Sequence, residues 1–362
     1  MNLKWSTLEH QMQEHGIQSL LITDPKHVYY LTGFLSNPHE RFLAAAMTLG
    51  EEPFLVVPAL DEEAAHAASD ISRIYTHTDT DNPYLVLNQA LKGSSGTMAL
   101  EKNHLSVARF ESLQEHLTFA RYQDLGPWLQ DMRVRKSADE IAKIKHAVLL
   151  IEQVLKEGLT KVKEGVTENE LVAEIEYQIR RLGADGPSFD SMVLFGEKTA
   201  LPHGVPGTRK LKHGDLLMYD IGVYADGYAS DITRTFAFGE PSPELTQIYK
   251  AVLEANEQAI RCIRPGVTFA SIDLAARTVI DQAGYGEYFM HRLGHGLGID
   301  VHEYPCVHGK NEALLQAGNV FTVEPGIYVP GVGGVRIEDD IAVTPDGVEV
   351  LTSFPKTLTI LE

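Results

Sequence analysis

An internal repeat occupies the C-terminal two thirds of the chain, and it constrains the fold more than any other feature of the sequence. The tripeptide GVT at 165–167 precedes a helical pattern that ends at Gly183. The same tripeptide at 266–268 precedes a second helical pattern that ends at Gly284, 101 residues further along. Any helix-turn-strand unit can reuse Gly and Val, so this agreement alone leaves both chance and duplication open.

A second matched element favours duplication. The segment LKHGDLLMYDIG (211–222) aligns with LQAGNVFTVEPG (315–326) at an offset of 104 residues. A half that folds twice gives a domain with pseudo-twofold symmetry, and a site on the axis receives equivalent residues from each half. The alignment places Asp220 on Glu324 and brings His203 within two positions of His302. The repeat therefore predicts where functional side chains gather.

The first third of the chain is organised differently. Short apolar runs such as IQSLLIT and PFLVVP alternate with helical patterns such as NPYLVLNQALKG. Alternation of strand and helix is typical of an α/β layer. After Gly126-Pro127 the pattern changes, and Ser137 with Glu140 forms a capping box that opens a long helix. We therefore predict two domains, residues 1–128 and residues 129–362.

Charge and composition narrow the class of protein. The chain has 50 acidic against 31 basic side chains and a formal charge of −19. Such a surface repels phosphate backbones and anionic membranes, which argues against nucleic acid and membranes as partners. Two cysteines are too few for a disulfide framework, and the sequence starts without an apolar signal segment. These features predict a soluble, cytoplasmic protein.

Four carboxylates lie in predicted strand pairs of the two repeats. LLMYDIGVY and YASDITRTF flank an Asp-Gly pair, which is a strong hairpin-turn signal. A two-residue turn there places Asp220 opposite Thr233, with Asp231 on the same face because side chains alternate along a strand. NVFTVEPG and GVRIEDDIAV carry Glu324 and Glu338 in the same way, and their longer loop leaves the register open.

These four carboxylates predict a metal site. A single strand aspartate is most simply a solvated side chain or the partner of an arginine. Four in apolar strands need a counter-charge, because burying unpaired carboxylates is costly, and a multivalent cation supplies it. An oxygen-rich donor set without thiolate suits Mn²⁺, with Co²⁺ or Zn²⁺ as alternatives. Bridging carboxylates suit two ions about 3.5 to 4 Å apart that acidify one shared water, which predicts hydrolysis.

The segment HRLGHGLGIDVHE (291–303) offers three histidines as a further ligand. Its glycines prevent His295 and His302 from sharing a helical face as in the zinc-protease motif. His295 lies between glycines, which favours it as the ligand over His291 and His302. His302 is then a candidate oxyanion donor, with His203 facing it across the pseudo-axis. An isolated histidine is often an ordinary surface or core residue, and His203 keeps that alternative.

The ordered set of motifs resembles the pita-bread metallopeptidases, and in particular the proline dipeptidases (Xaa-Pro dipeptidases, prolidases), over nearly the whole chain. The resemblance rests on YDIG, SDITRTF, HRLGHGLGIDVHE, TVEPGIY and GVRIEDD in that order, with HVYYLTGF near the N-terminus. It implies an α+β fold, in which a creatinase-type α/β domain (1–128) precedes a pita-bread catalytic domain (129–362).

The resemblance also implies roles for individual side chains. A hydroxide that bridges two divalent ions, commonly Mn²⁺ in this family, would attack the Xaa-Pro amide while Glu324 moves the proton. His203 and His302 would orient the substrate and stabilise the oxyanion. Family members are usually homodimers. The implied metal ligands are Asp220, Asp231, His295, Glu324 and Glu338.

Restriction to dipeptides requires a cation for the carboxylate of the substrate's proline. Many proline dipeptidases have an arginine at the position that is Cys306 here. Arg292 is the predicted substitute, and Arg336 is the second candidate for this substrate-binding role. An internal ion pair of Arg336 with Glu338 or Asp340 is an equally good interpretation.

Three other functions share this fold. An aminopeptidase P removes the first residue of longer Xaa-Pro peptides with the same ligands, and the short N-terminal domain favours the dipeptidase. A creatinase-like hydrolase works without metal, and non-catalytic relatives use the fold as a binding module. Both of these classes would have lost metal ligands, whereas this chain has all five.

Overall fold

The computed structural model describes residues 2–362. These residues fall into two compact units that divide between Met132 and Arg133, here called the N-terminal and C-terminal units. Among the described residues, no helix combines the length and the apolar character needed to cross a bilayer.

The N-terminal unit alternates strands with helices. Its strands are β1 (Ser19–Ile22), β2 (Ala44–Thr48), β3 (Phe54–Pro58), β4 (Arg73–His77), β5 (Thr97–Leu100) and β6 (Arg121–Asp124). Its helices are α1 (Leu3–His15), α2 (Pro25–Thr32), α3 (Glu62–Ala68), α4 (Pro83–Ala90), α5 (Val107–His116) and α6 (Gly126–Val134), with a 3₁₀ turn at Ala59–Asp61.

The six strands form one mixed sheet in the order β4-β3-β2-β1-β5-β6. The pairs β1–β5, β5–β6 and β3–β4 are parallel, whereas β1–β2 and β2–β3 are antiparallel. Strands β1 and β3 are buried throughout, which accounts for their largely apolar sequences. The α/β organisation predicted for the first third of the chain is confirmed.

The C-terminal unit begins with the predicted long helix, whose capping box of Ser137 and Glu140 is present. Its helices are α7 (Ala138–Leu159), α8 (Glu168–Arg181), α9 (Pro243–Cys262) and α10 (Phe269–Gln282), with 3₁₀ turns at Gly196–Ala200 and Gly286–Tyr288. Its strands are β7 (Gly186–Pro187), β8 (Met192–Phe195), β9 (Asp215–Ile221), β10 (Val223–Ala225), β11 (Tyr228–Ala229), β12 (Ile232–Phe238), β13 (Gly294–Gly296), β14 (Glu303–Val307), β15 (Val320–Val323), β16 (Gly326–Val329), β17 (Gly333–Arg336), β18 (Asp339–Thr344), β19 (Gly347–Val350) and β20 (Ile360–Leu361).

The predicted repeat is present in the C-terminal unit. Helices α8 and α10 both have 14 residues, and each has a threonine N-cap, Thr167 and Thr268. The backbone N–H of Gly165 donates to Leu211 over 2.9 Å, and that of Gly266 donates to Leu315 over the same distance. Each half also has its own hydrophobic core, built by α7 and α8 in the first half and by α9 and α10 in the second.

The strand pairs that carry the candidate carboxylates form two larger sheets. Their orders are β20-β12-β9-β8 and β14-β13-β15-β18-β19, and smaller sheets β11-β10-β7 and β16-β17 extend the two hairpins. In the first hairpin Asp220 pairs with Thr233, so the predicted register is confirmed. Asp226 and Gly227 both adopt positive φ, as this tight turn requires.

Candidate metal centre

The structure brings the five predicted ligands together. Their potential ligand atoms form overlapping groups of three, and within each group all atoms lie within 4.8 Å of one another. Two aspartates come from the first half of the repeat, while two glutamates and a histidine come from the second. The three groups are Asp220, Asp231 and Glu338; His295, Glu324 and Glu338; and Asp231, His295 and His302.

His295 presents an unprotonated nitrogen to the carboxylates. Burial lowers the pKa of its imidazole to about 3, so the ring is neutral at physiological pH. Its Nδ1 lies 3.2 Å from the carbonyl oxygen of Gly296 and donates to it, which leaves the lone pair on Nε2. Nε2 lies 3.3 Å from Glu324 Oε1 and 3.7 Å from Asp231 Oδ2. A lone pair that faces two carboxylates fits a cation between them.

The carboxylates themselves also fit a cation. Burial, followed by repulsion from neighbouring carboxylates, raises the pKa of Asp231 and of Glu338 well above the usual range. Burial likewise raises the pKa of Glu324 to about 7. Among the described residues, Asp231 Oδ1 has no hydrogen-bond partner. Buried polar atoms are normally satisfied, so this oxygen is suited to a metal bond. With oxygen donors and one imidazole, the set fits first-row divalent ions.

Two threonines that were not singled out in the sequence orient the glutamates. Thr233 Oγ1 donates to Glu338 Oε2 over 2.6 Å, and Thr322 Oγ1 lies 3.3 Å from Glu324 Oε1. Strand alternation could have indicated both. Thr233 is the predicted partner of Asp220, and Thr322 precedes Glu324 by two residues on the same strand face.

Arg336 is an interior residue of this centre. It is 4% exposed, and its Nη2 donates to Asp220 Oδ2. An internal ion pair is therefore present, but its partner is Asp220 instead of Glu338 or Asp340. Sequence neighbours cannot reveal this pairing, because Asp220 belongs to the other half of the repeat.

A hydrogen-bonded chain runs from Arg336 away from the carboxylates. Arg336 Nη1 donates to the Tyr328 hydroxyl over 2.8 Å, and that hydroxyl lies 2.9 Å from His291 Nε2. Burial lowers the pKa of His291 to about 4, so its neutral Nε2 accepts the hydroxyl proton while Nδ1 donates to the carbonyl of Arg292. His291 is outside every group of potential metal ligands among the described residues. Tyr328 was not singled out in the sequence.

His302 lies next to the candidate ligand His295, and Arg292 and His203 lie near His302. The ring centroids of His302 and His295 are 3.8 Å apart. Burial, followed by the charges of Arg292 and His203, lowers the pKa of His302, so these two side chains lie within electrostatic reach. Arg292 is half-buried, and its Nη1 lies 3.1 Å from the Sγ of Cys306. Cys306 is the strand partner of His295. A neutral imidazole and a cation thus lie next to the candidate ligands.

Comparison with known families identifies the architecture. Residues 142–345 match the model of metallopeptidase family M24, and residues 4–135 match the creatinase/prolidase N-terminal domain. The chain belongs to metallopeptidase family M24. The predicted architecture, a creatinase-type N-terminal domain followed by a pita-bread catalytic domain, is confirmed.

Similar proteins narrow the type of M24 metallopeptidase. A protein of Bacillus subtilis (strain 168) described as "Putative dipeptidase YkvY" is 45% identical over 353 residues, which cover 97% of each chain. The prolidase from Pyrococcus horikoshii OT3 has a TM-score of 0.92 and 35% identity, covering 99% of this chain and 100% of that one. The Xaa-Pro dipeptidase from Bacillus anthracis has a TM-score of 0.92 and 34% identity over 99% of each chain. The chain is a hydrolase of the prolidase and dipeptidase type within the family.

Proposed function

We propose that this M24 metallopeptidase is a proline dipeptidase that hydrolyses Xaa-Pro dipeptides with two divalent metal ions. The observation that carries the proposal is the convergence of four carboxylates and the His295 imidazole beside a half-buried arginine, Arg292. The ligand set could bind the metal ions needed for hydrolysis, and the arginine could bind a free carboxylate on the substrate. The similarity to a prolidase and to an Xaa-Pro dipeptidase supports the same substrate class.

The metal ligands in this proposal are Asp220, Asp231, His295, Glu324 and Glu338, and Mn²⁺ is the favoured ion, with Co²⁺ or Zn²⁺ as alternatives. Two such ions would lower the pKa of a bound water and would polarise the scissile carbonyl. This chemistry suits the Xaa-Pro bond, which lacks an N–H and is poorly held as an extended strand.

Glu324 is the carboxylate best placed to carry a proton. Its side chain is 16% exposed, so water can reach it, and burial raises its pKa to about 7, close to neutral pH. Glu324 would hold the proton released by water and return it to the departing proline nitrogen. His302 and His203 are both exposed and would donate hydrogen bonds to the oxyanion and orient the substrate.

Arg292 would bind the carboxylate of the substrate's proline. Its partner in the structure is a thiol, which is a weak acceptor, so a carboxylate competes well for the guanidinium. Arg336, in contrast, is buried and donates to Asp220, Tyr328 and Thr233. We assign Arg336 to holding Asp220 instead of contacting the substrate.

A substrate panel tests the proposal. Ala-Pro, Ala-Pro-Ala and Ala-Ala are offered to the purified protein with Mn²⁺, Co²⁺, Zn²⁺ or EDTA, with Asp231→Asn as the control without a complete ligand set. We expect metal-dependent turnover that is fastest for Ala-Pro and absent with EDTA. Faster turnover of Ala-Pro-Ala would instead indicate an aminopeptidase P, and metal-independent turnover or none would indicate the creatinase-like or non-catalytic class.

A further inference from the structure

A group of four charged side chains, three of them buried, adjoins His302 without including any of the candidate metal ligands. Glu303 Oε1 accepts a hydrogen bond from Lys136 Nζ over 2.6 Å, and Glu303 Oε2 accepts one from Arg133. Arg133 also donates to Asp300 Oδ2 over 2.6 Å. The side chains of Glu303 and Lys136 are 7% and 2% exposed. We call these four residues, Arg133, Lys136, Asp300 and Glu303, the Glu303 network.

The two acidic members of the network bracket His302 in the sequence. The carboxylate of Glu303 packs directly on Gly298, since a Cβ added there would lie 2.8 Å from Glu303 Oε1. The carbonyl of Gly298 accepts a hydrogen bond from the backbone N–H of Ala229 over 2.8 Å. The segment 298–303, which carries His302, is therefore fixed at both ends.

The basic members of the network lie on an equally fixed segment. The backbone N–H of Lys136 donates to Gly318 over 2.8 Å, and Arg135 forms a β-bridge with Asn319. The side-chain amide of Asn319 donates to the carbonyl of Val134 over 3.1 Å. These contacts attach the two cations to the residues that lead into β15, the strand preceding Glu324. The network thus connects the segment that carries His302 to the segment that leads to Glu324, a candidate metal ligand.

The ring of His302 depends on this support. Among the described residues, no side chain or backbone group forms a hydrogen bond with the His302 ring, which is exposed and contacts the His295 ring at an interplanar angle of 47°. Its placement is therefore set by the backbone of its own segment. Apolar side chains could fill the buried space next to it at a smaller desolvation cost than four charges, so the ionic network is suited to fixing geometry more than to adding stability.

We propose that Glu303, held by Arg133 and Lys136, is a positioning residue for His302. The inference rests on the proposed role of His302 in hydrolysis. It gives a function to a carboxylate and two cations that belong neither to the metal ligands nor to the substrate contacts.

A double-mutant cycle tests this assignment. Glu303→Gln preserves the size of the side chain and removes its charge. We expect kcat to fall about ten- to hundredfold, with KM and the bound metal unchanged, because small displacements of a catalytic group cost this much. His302→Ala is the second variant, and in its background Glu303→Gln should lower kcat by less than about twofold, since the residue it positions is gone. Equal losses in both backgrounds would overturn the proposal.

A matched control separates positioning from general destabilisation. Asp215 accepts hydrogen bonds from Arg209 over 2.7 and 3.0 Å and is 13% exposed in its side chain. Asp215→Asn weakens this ion pair in the same unit, and within the described part of the chain none of the side-chain hydrogen bonds of Asp215 involves the segment 298–303. We expect it to lower the melting temperature as Glu303→Gln does while leaving kcat unchanged. A matching fall in kcat in the control would contradict a specific role for Glu303.

The cycle is measured with whichever peptide the wild-type protein cleaves fastest, so it does not depend on Xaa-Pro specificity. Wild-type failure on Ala-Pro would contradict the proposed function and leave the cycle intact. A crystal structure of Glu303→Gln gives a readout that needs no activity. Displacement of the His302 ring from its position next to His295 supports the proposal, and an unmoved ring overturns it.

Discussion

The buried guanidinium of Arg336 forms an ion pair with the partly buried Asp220, although the two residues come from different halves of the repeat. The same guanidinium donates to the Thr233 hydroxyl over 3.0 Å and to the Tyr328 hydroxyl over 2.8 Å. A fixed cation thus lies beside the clustered carboxylates and contacts one of them, Asp220. Because the guanidinium is buried, water cannot easily take its place as the partner of Asp220 when the arginine is replaced.

Removing this cation should destabilise the metal-free protein. We expect Arg336→Met to lower the free energy of unfolding by about 2 to 4 kcal/mol, because Asp220, whose side chain is only 19% exposed, loses its partner. Arg336→Lys should lose less, since it retains the charge but not the three directed hydrogen bonds. Urea unfolding in EDTA measures both variants. Equal stability of the two would show that the charge of Arg336 is irrelevant.

His295 and His291, two histidines of one motif, should differ in metal binding. His295 faces the carboxylates with an unprotonated Nε2, whereas Nε2 of His291 is occupied by the Tyr328 hydroxyl. After loading with Mn²⁺ and dialysis, we expect His295→Ala to retain fewer ions than the wild-type protein and His291→Ala to retain the same number. Elemental analysis by mass spectrometry gives the ion count. Equal depletion in both variants would exclude His295 as the specific ligand.

Metal removal should make stability depend on pH. Burial raises the pKa of Glu324 from 4.5 to about 7, and that of Asp231 and Glu338 also rises. The metal-free folded state therefore binds protons more tightly than the unfolded state. Protonation of these carboxylates stabilises the fold fully below about pH 4.5, and this stabilisation is lost as pH rises towards 7 and beyond. We expect the melting temperature in EDTA to fall across this window and that of the Mn²⁺-loaded protein to lack this fall. Parallel curves with and without metal would contradict the carboxylate cluster as the binding site.

Arg292 should discriminate between substrates with and without a free carboxylate. A charge-assisted hydrogen bond contributes about 1.5 to 3 kcal/mol, so Arg292→Gln should raise KM for Ala-Pro about ten- to hundredfold. KM for the corresponding amide, Ala-Pro-NH₂, should change less than about threefold. Steady-state kinetics on the two substrates gives the comparison. An equal rise for both would assign Arg292 to a structural role.

Cys306→Ala is the control for this experiment. The thiol contacts Arg292 over 3.1 Å, but a sulfur is a weak acceptor. We expect KM to change less than about threefold on either substrate. A larger effect would show that the thiol sets the position of the guanidinium.

Local patterns allowed much of this fold to be predicted. The Asp-Gly turn fixes a two-residue loop, and the pairing of Asp220 with Thr233 follows from it. The GVT tripeptides marked two helix starts, because threonine is a favourable N-cap. Side-chain alternation then put Asp231 with Asp220 on one face. These inferences need only neighbours within a strand pair or a helix.

Contacts between distant segments were beyond such patterns. The alternative interpretation of Arg336 named Glu338 or Asp340 as its ion-pair partner, two positions that are close in sequence, yet the partner is Asp220. Arg133 and Glu303 are separated by 170 residues. Nothing in the periodicity of either segment relates them. Such pairs depend on how helices and strands pack against one another, and local sequence patterns do not determine that packing.

The contacts between the two halves of the repeat make each half chemically incomplete. Thr233 donates to Glu338, Thr235 Oγ1 donates to the carbonyl of Arg336 over 3.0 Å, and Arg336 neutralises Asp220. A polypeptide cut in the connection between β12 and α9 would yield two fragments, each with two carboxylates and unsatisfied partners. Measured metal binding would then report the association of the two fragments, because the complete set of candidate ligands is present only when both are together.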